Sequence, residues 1–163
     1  MLPTDLTVSA VVERNERFLT IEKRVSGVVV VTQPSAHMEA DESPEKAVIR
    51  SGLQDSGCEL SVTGLLGVYL WIHPQTRQQY LRIAYTADLV RENVNRQLDE
   101  HIRGVHWYSL GDIKNRSKDL VSPIVQRCIE DYVVGNRQPD GLLNDLMPVQ
   151  QNIGAIMANA CLV

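Results

Sequence analysis

A chain of 163 residues with a net charge of -4 and a pI near 5.5 has room for one domain with a real core. That charge argues against a nucleic-acid backbone as the main partner. Hydrophobic residues make up 44% and charged residues 22%, which excludes a disordered chain, and no apolar run approaches membrane-spanning length. The cysteines Cys58, Cys128 and Cys161 form no CxxC pair and no cluster with zinc spacing, so reduced thiols and a cytoplasmic location are expected. The opening "MLPTDLTVSAVVERNERF" has no basic leader before an apolar run, and no signal peptide is expected.

In chain order, "LTVSAVV" and "RFLTIEKR" are β-branched runs around the polar "ERNE", which predicts a hairpin. "SGVVVVTQP" is a continuous apolar run closed by proline and predicts a buried strand. A helix starts at Ser43: serine is a good N-cap, Pro44 suits the first helical position, and Glu45 complements the dipole. Gly57 is placed to cap its end. "LSVTGLLGVYLWI" and "QYLRIAYTADLV" predict two long strands around "HPQTRQ", and "IRGVHWYS" another strand. "SLGDIKNR" and "SPIVQRCIEDYVV" predict helices, the second with Ile124, Val125, Cys128, Ile129 and Tyr132 at helical spacing. This order predicts a mixed α/β domain over residues 1–135 rather than a βαβ array. Residues 136–163 read as a tail, helical or self-associating, whose apolar "IGAIMANACLV" would dock on the domain, build a homodimer or fray.

The stretch "AHMEADESPEKAVIRSGLQDSGC" carries the most information. It resembles the Nudix box, G-x5-E-x7-R-E-U-x-E-E-x-G-U, with U apolar. Ala36 replaces the first glycine, Glu42 and Arg50 are kept, and Ser51 replaces the glutamate after the arginine. Gly52 takes an apolar place, Gln54 and Asp55 replace two glutamates, Gly57 is kept, and Cys58 fills the last apolar slot as packing. "TQPSAHMEADES", "YLRIAYTA", "LDEHIRGVHWYSLGDI" and "SPIVQRCIEDY" are similar in order and spacing to the NudJ-type branch, over about residues 5–135. The resemblance implies an α/β/α sandwich with a mixed sheet and metal-dependent cleavage of a diphosphate linked to another moiety. It implies magnesium or manganese as cofactor and small substrates: nucleoside di- and triphosphates or thiamine pyrophosphate.

Positions 51, 54 and 55 are spaced i, i+3 and i+4, so they share one helix face. Three glutamates there would hold magnesium through oxygen ligands, and the metal would bridge to phosphates and activate water. Here only Asp55 is an acid; Gln54 offers a neutral carbonyl, and Ser51 is short. At 1.36 kcal/mol per decade, losing two anionic ligands puts roughly three orders of magnitude in rate at stake. Glycine at 52 costs about 1 kcal/mol of helix stability relative to alanine. In the family the Glu42–Arg50 pair braces the loop against the helix, so its retention speaks for the fold.

Glu39, Asp41, Asp99 and Glu100 are the acids that could serve beside Asp55; as an alternative they are solvated turn residues. His37 stands either near substrate phosphate or in loop packing. Arg82 faces the ligand cleft or is an ordinary strand arginine, and Gln33 is a further ligand candidate. Tyr69, Trp71 and Tyr80 would stack a base or fill the core. No nucleophile triad, P-loop or GxGxxG is present. The first functional reading is therefore a phosphohydrolase with an impaired or rerouted metal site, with Asp55 and Glu39 as catalytic acids and Asp55, Gln54 and Glu39 as metal ligands. In it Arg82, His37 and Gln33 bind substrate. The other is an inactive domain that binds a nucleotide or a protein partner. Neither reading involves nucleic acid or a membrane. A second carboxylate converging on Asp55 would favour the enzyme.

Overall fold

The computed structural model describes residues 2–146. Seven strands and three helices follow in order: β1 (Thr4–Arg14), β2 (Arg17–Val25), β3 (Val28–Thr32), β4 (Ser35–His37), α1 (Pro44–Ser56), β5 (Cys58–Ile72), β6 (Gln79–Glu92), β7 (Ile102–Tyr108), α2 (Leu110–Asn115) and α3 (Pro123–Val133). Asn15 and Glu16, at φ 53° and 60°, make the tight turn of the predicted hairpin. The hairpin then opens: only Glu13↔Phe18 and Arg14↔Arg17 pair. Beyond them β1 runs parallel to β6, from Thr4↔Gln79 to Val12↔Ala87, and β4 pairs with it through Thr7↔His37. β2 turns instead to β3 and β7, giving the mixed order β3-β2-β1-β6-β5 with β4 and β7 attached.

The sheet has two apolar faces, as period-two strands dictate. On β6, Ile83, Tyr85 and Ala87 join Val8, Ala10, Val12 and Leu19 against Ala47 and Val48 of α1. Ala84, with Val11, Phe18 and Leu66, meets Ile113 of α2 and Ile124, Val125, Cys128 and Ile129 of α3. Each fully buried Val, Leu or Ile contributes about 1.5–3 kcal/mol, so these two layers hold the sandwich together.

The run expected to be a fully buried strand is only partly so. Val28 is 63% exposed and Val29 42%, while Val31 is buried. The reason is position: β3 ends the sheet order and has one full ladder neighbour. The segment after α3 lies along β5, where Gln138 donates its backbone N–H to Leu65 O (2.9 Å) and its Nε2 to Leu66 O (3.2 Å). Leu143 packs on the α1-side core. The rest of the expected tail, residues 147–163 with Cys161, lies outside the described residues. Among the described residues no helix is long and apolar enough to cross a membrane.

Candidate active site

The loop before α1 and the helix itself are built by local rules. Ser43 caps α1, its hydroxyl accepting from Lys46 N–H, and Pro44 follows at the first position. Gly57 ends it at φ 71°, where a side chain would be strained; a Cβ there would also lie 2.7 Å from the Asn93 carbonyl oxygen. Ala36, at the place of the family glycine, sits in β4 opposite Val8.

Arg50 is the hub of the box. Its Nε donates to Glu42 Oε1 at 2.7 Å and its Nη2 to Glu42 Oε2 at 2.9 Å, a two-pronged pair. Nη2 also donates to the His37 carbonyl at 3.0 Å, so His37 contributes its backbone while its side chain lies at the surface. Glu39 N–H donates to Glu42 Oε2 at 3.1 Å. The Arg50 hydrogen bond holds the Glu42 carboxyl below its ordinary range.

The helix face at 51, 54 and 55 is less uniform than its spacing suggests. Ser51 is 1% exposed and its hydroxyl donates back to Val48 O at 2.8 Å. Gln54 is exposed, and its Oε1 accepts from Arg50 Nη1 at 3.2 Å. The same Nη1 lies 3.4 Å from Glu39 Oε1. Arg50 therefore holds both of the donors expected to stand beside Asp55. Burial pushes the Asp55 carboxyl above its usual range; the Lys23 charge opposes this, Asp99 adds to it, and Arg50 opposes it. Among the described residues Lys23 makes no ion pair with Asp55 or Asp99, and the Asp99 carboxylate is exposed, 3.9 Å from His101 Nε2. Asp41, at φ 60°, and Glu100 lie at the surface.

Gly52 is explained by packing. A Cβ on it would lie 2.5 Å from Leu60 Cδ1 and 2.7 Å from Leu60 Cγ. The apolar volume that the family supplies from the helix comes here from β5.

Arg82 and Gln33 lie on the other face of the sheet, apart from the box. Arg82 is 8% exposed, donates Nε to Thr7 Oγ1 at 3.3 Å, and has no partner at Nη1. Gln33 is 1% exposed with both amide atoms unpartnered. Beside both stands the Cys128 thiol of α3, which burial pushes up to about 12. Tyr69 hydrogen-bonds Asp131 at 2.8 Å, and Trp71 stacks on Tyr80 with centroids 5.7 Å apart. Cys58 is fully buried in the α1-side core.

The solved structure of a Nudix hydrolase from Nitrosomonas europaea matches 90% of this chain and all of its own, with a TM-score of 0.84 and 30% identity. The chain belongs to the Nudix hydrolase family. It is also 28% identical over 145 residues to phosphatase NudJ of Escherichia coli K12, covering 89% of this chain and 94% of that protein. A MutT Nudix hydrolase from Burkholderia pseudomallei shares the fold at a TM-score of 0.67 and 20% identity, over 79% of this chain and 98% of its own. No family-level sequence profile matches the chain.

Nudix hydrolases generally use divalent metals. The donor set of this Nudix chain does not fit such an ion well: Ser51 is turned inward, and Gln54 and Glu39 are held by Arg50. Among the described residues, no three His, Cys, Asp or Glu side chains are grouped to hold a metal.

Proposed function

We propose that this Nudix chain is a NudJ-like phosphohydrolase of small pyrophosphates, either nucleoside di- or triphosphates or thiamine pyrophosphate, with an impaired or rerouted metal site. The observation that carries this reading is the division within the box. Its brace, Glu42–Arg50, is intact, while Asp55 is the sole acid at positions 51, 54 and 55. Asp55 and Glu39 are the acids assigned to the chemistry. Magnesium or manganese is the cofactor such hydrolysis needs, with Asp55, Gln54 and Glu39 as the oxygens on offer, the last two only once released from Arg50. Arg82, His37 and Gln33 are assigned to substrate. The working unit is residues 1–135, cytoplasmic, with 136–163 as a tail through which two copies pair.

A second reading, an inactive Nudix domain that binds a nucleotide or a protein, is favoured by the grip of Arg50 Nη1 on Gln54 and Glu39. Phosphate release from nucleoside di- and triphosphates and thiamine pyrophosphate, with magnesium and with manganese, separates the two. Slow metal-dependent turnover lost in Asp55→Asn supports the hydrolase. Silence in the natural chain, with turnover in Ser51→Glu/Gln54→Glu/Asp55→Glu, supports the inactive domain.

A further inference from the structure

The segment after α3 builds one wall of a groove that lies apart from the metal-facing positions of the box. Gln138 N–H donates to Leu65 O (2.9 Å) and so fixes the start of the segment to β5. Leu142 N–H then returns to Pro139 O (3.3 Å), Gly141 takes φ 78° at the bend, and Asn144 Nδ2 donates to Gly141 O (3.0 Å). Leu143 anchors this turn on the core beneath α1. Between the turn, the middle of β5 and the first turn of α1 lies a cavity of about 450 Å³, within the range of small-molecule sites. Glu45 at its edge stands ten helical residues from Asp55, about 15 Å along α1.

The groove is lined by one sign of charge. It carries Glu45, Asp140 and Asp145, and no lysine, arginine or histidine among the described residues. The start of α1 supplies roughly half a positive charge, which offsets only part of one carboxylate. Among the described residues no three acids are grouped to hold a metal, so these three do not converge on one ion. A cation that meets all of them is therefore an extended one. The walls between the acids are apolar, with Leu65, Leu142 and Leu143. Tyr85 lines the same cavity; it is 4% exposed, and its hydroxyl has no hydrogen-bond partner among the described residues. Burial pushes that hydroxyl up to about 12, with Glu45 and Asp145 adding to the rise, so it is neutral and able to accept a hydrogen bond. We propose that this groove binds a linear aliphatic polyamine. Its ammonium groups meet Glu45, Asp140 and Asp145, its methylenes lie on Leu65, Leu142 and Leu143, and one N–H donates to the Tyr85 hydroxyl. The site is separate from the acids assigned to hydrolysis, and its occupancy does not depend on pyrophosphate turnover.

The test is calorimetric titration of spermidine into the full chain at fixed ionic strength. Glu45→Gln/Asp140→Asn and Tyr85→Phe are compared with the natural protein, and Asp88→Asn/Asp119→Asn removes the same charge from exposed positions elsewhere. Each variant is first melted to establish folding. The natural chain should bind one spermidine saturably, and hexylamine, with a single charge, about tenfold more weakly. Loss of the two acids should weaken spermidine about tenfold, and Tyr85→Phe about threefold through the lost hydrogen bond. The control pair should stay within about twofold, as screened charges at a distance do. No saturable heat up to millimolar spermidine overturns the proposal. Equal weakening by the two charge-neutralising pairs overturns it as well, since that is diffuse attraction to an acidic protein, and so does equal binding of hexylamine. If Glu45→Gln/Asp140→Asn does not fold, Tyr85→Phe decides: unchanged affinity in it overturns the proposal.

Discussion

Arg50 and Glu42 face each other through two parallel hydrogen bonds of 2.7 and 2.9 Å, eight residues apart in sequence and joined across the turn into α1. Because the same guanidinium holds the His37 carbonyl, this pair fixes the loop to the helix regardless of what the metal-facing positions contain.

Breaking it should be costly. Glu42→Gln or Arg50→Met is expected to lower stability by about 2–4 kcal/mol, because each leaves a half-buried charge or acceptor without its partner. Urea unfolding measures this directly. The pH dependence has a defined sign. The Arg50 hydrogen bond depresses the folded-state pKa of Glu42 below its ordinary 4.5. Its contribution is therefore complete above 4.5 and is lost as pH falls through the folded value. Natural and Glu42→Gln proteins should converge in stability on acidification; a gap that persists below both values would contradict the assignment.

Gly52 offers a test of compensation between helix and strand. Alanine improves helix propensity by about 1 kcal/mol, but its Cβ would overlap Leu60, and overpacking costs about 1–3 kcal/mol. Gly52→Ala should therefore be neutral to destabilising alone. In a Leu60→Ala background, itself weakened by about 2–5 kcal/mol, the same change should stabilise. A double-mutant cycle reads the reversal of sign.

Restoring the family acid at 51 should cost stability before it helps chemistry. Ser51 is 1% exposed, and a carboxylate placed there loses solvation, a penalty of about 2 kcal/mol or more. Manganese at about 100 times its Kd would return roughly 2.7 kcal/mol, several degrees of melting temperature. Ser51→Glu/Gln54→Glu should thus melt low without metal and rise with it, while the natural chain shifts little.

Arg82 carries a positive charge into the layer under α3 with no acid at ion-pair distance among the described residues, and burial pushes its pKa down. Arg82→Met keeps the stem and removes the charge, so stability should stay within about 1 kcal/mol or increase. If Arg82 serves the ligand, nucleotide affinity falls by tenfold or more in the same variant; calorimetry with ADP measures it.

Much of this was readable from local chemistry. Ser43, Pro44 and Gly57 mark α1 because caps depend on neighbours within a turn. Ile124, Val125, Cys128 and Ile129 mark the buried stripe of α3 by spacing alone. The box was legible through its resemblance to the family pattern, since its positions fall in one unbroken stretch from β4 through α1 to the start of β5. What escaped depends on partners far along the chain. The valines of β3 look like a core strand until the sheet order puts them at an edge. Gly52 looks like damage until Leu60 arrives from β5.

The parallel ladder between β1 and β6 joins residues 75 apart in sequence, Thr7 to Arg82 among them. β1 therefore waits for some 75 further residues before its long parallel ladder can form, and until then it has only the short hairpin with β2 and three pairs with β4. Such high contact order places folding toward the slow end for a domain of this size, roughly milliseconds to seconds. During that wait Val8, Ala10, Val11 and Val12, which end fully covered, stand open to other chains. Changes in these four residues will be felt in yield during synthesis as well as in stability once folded.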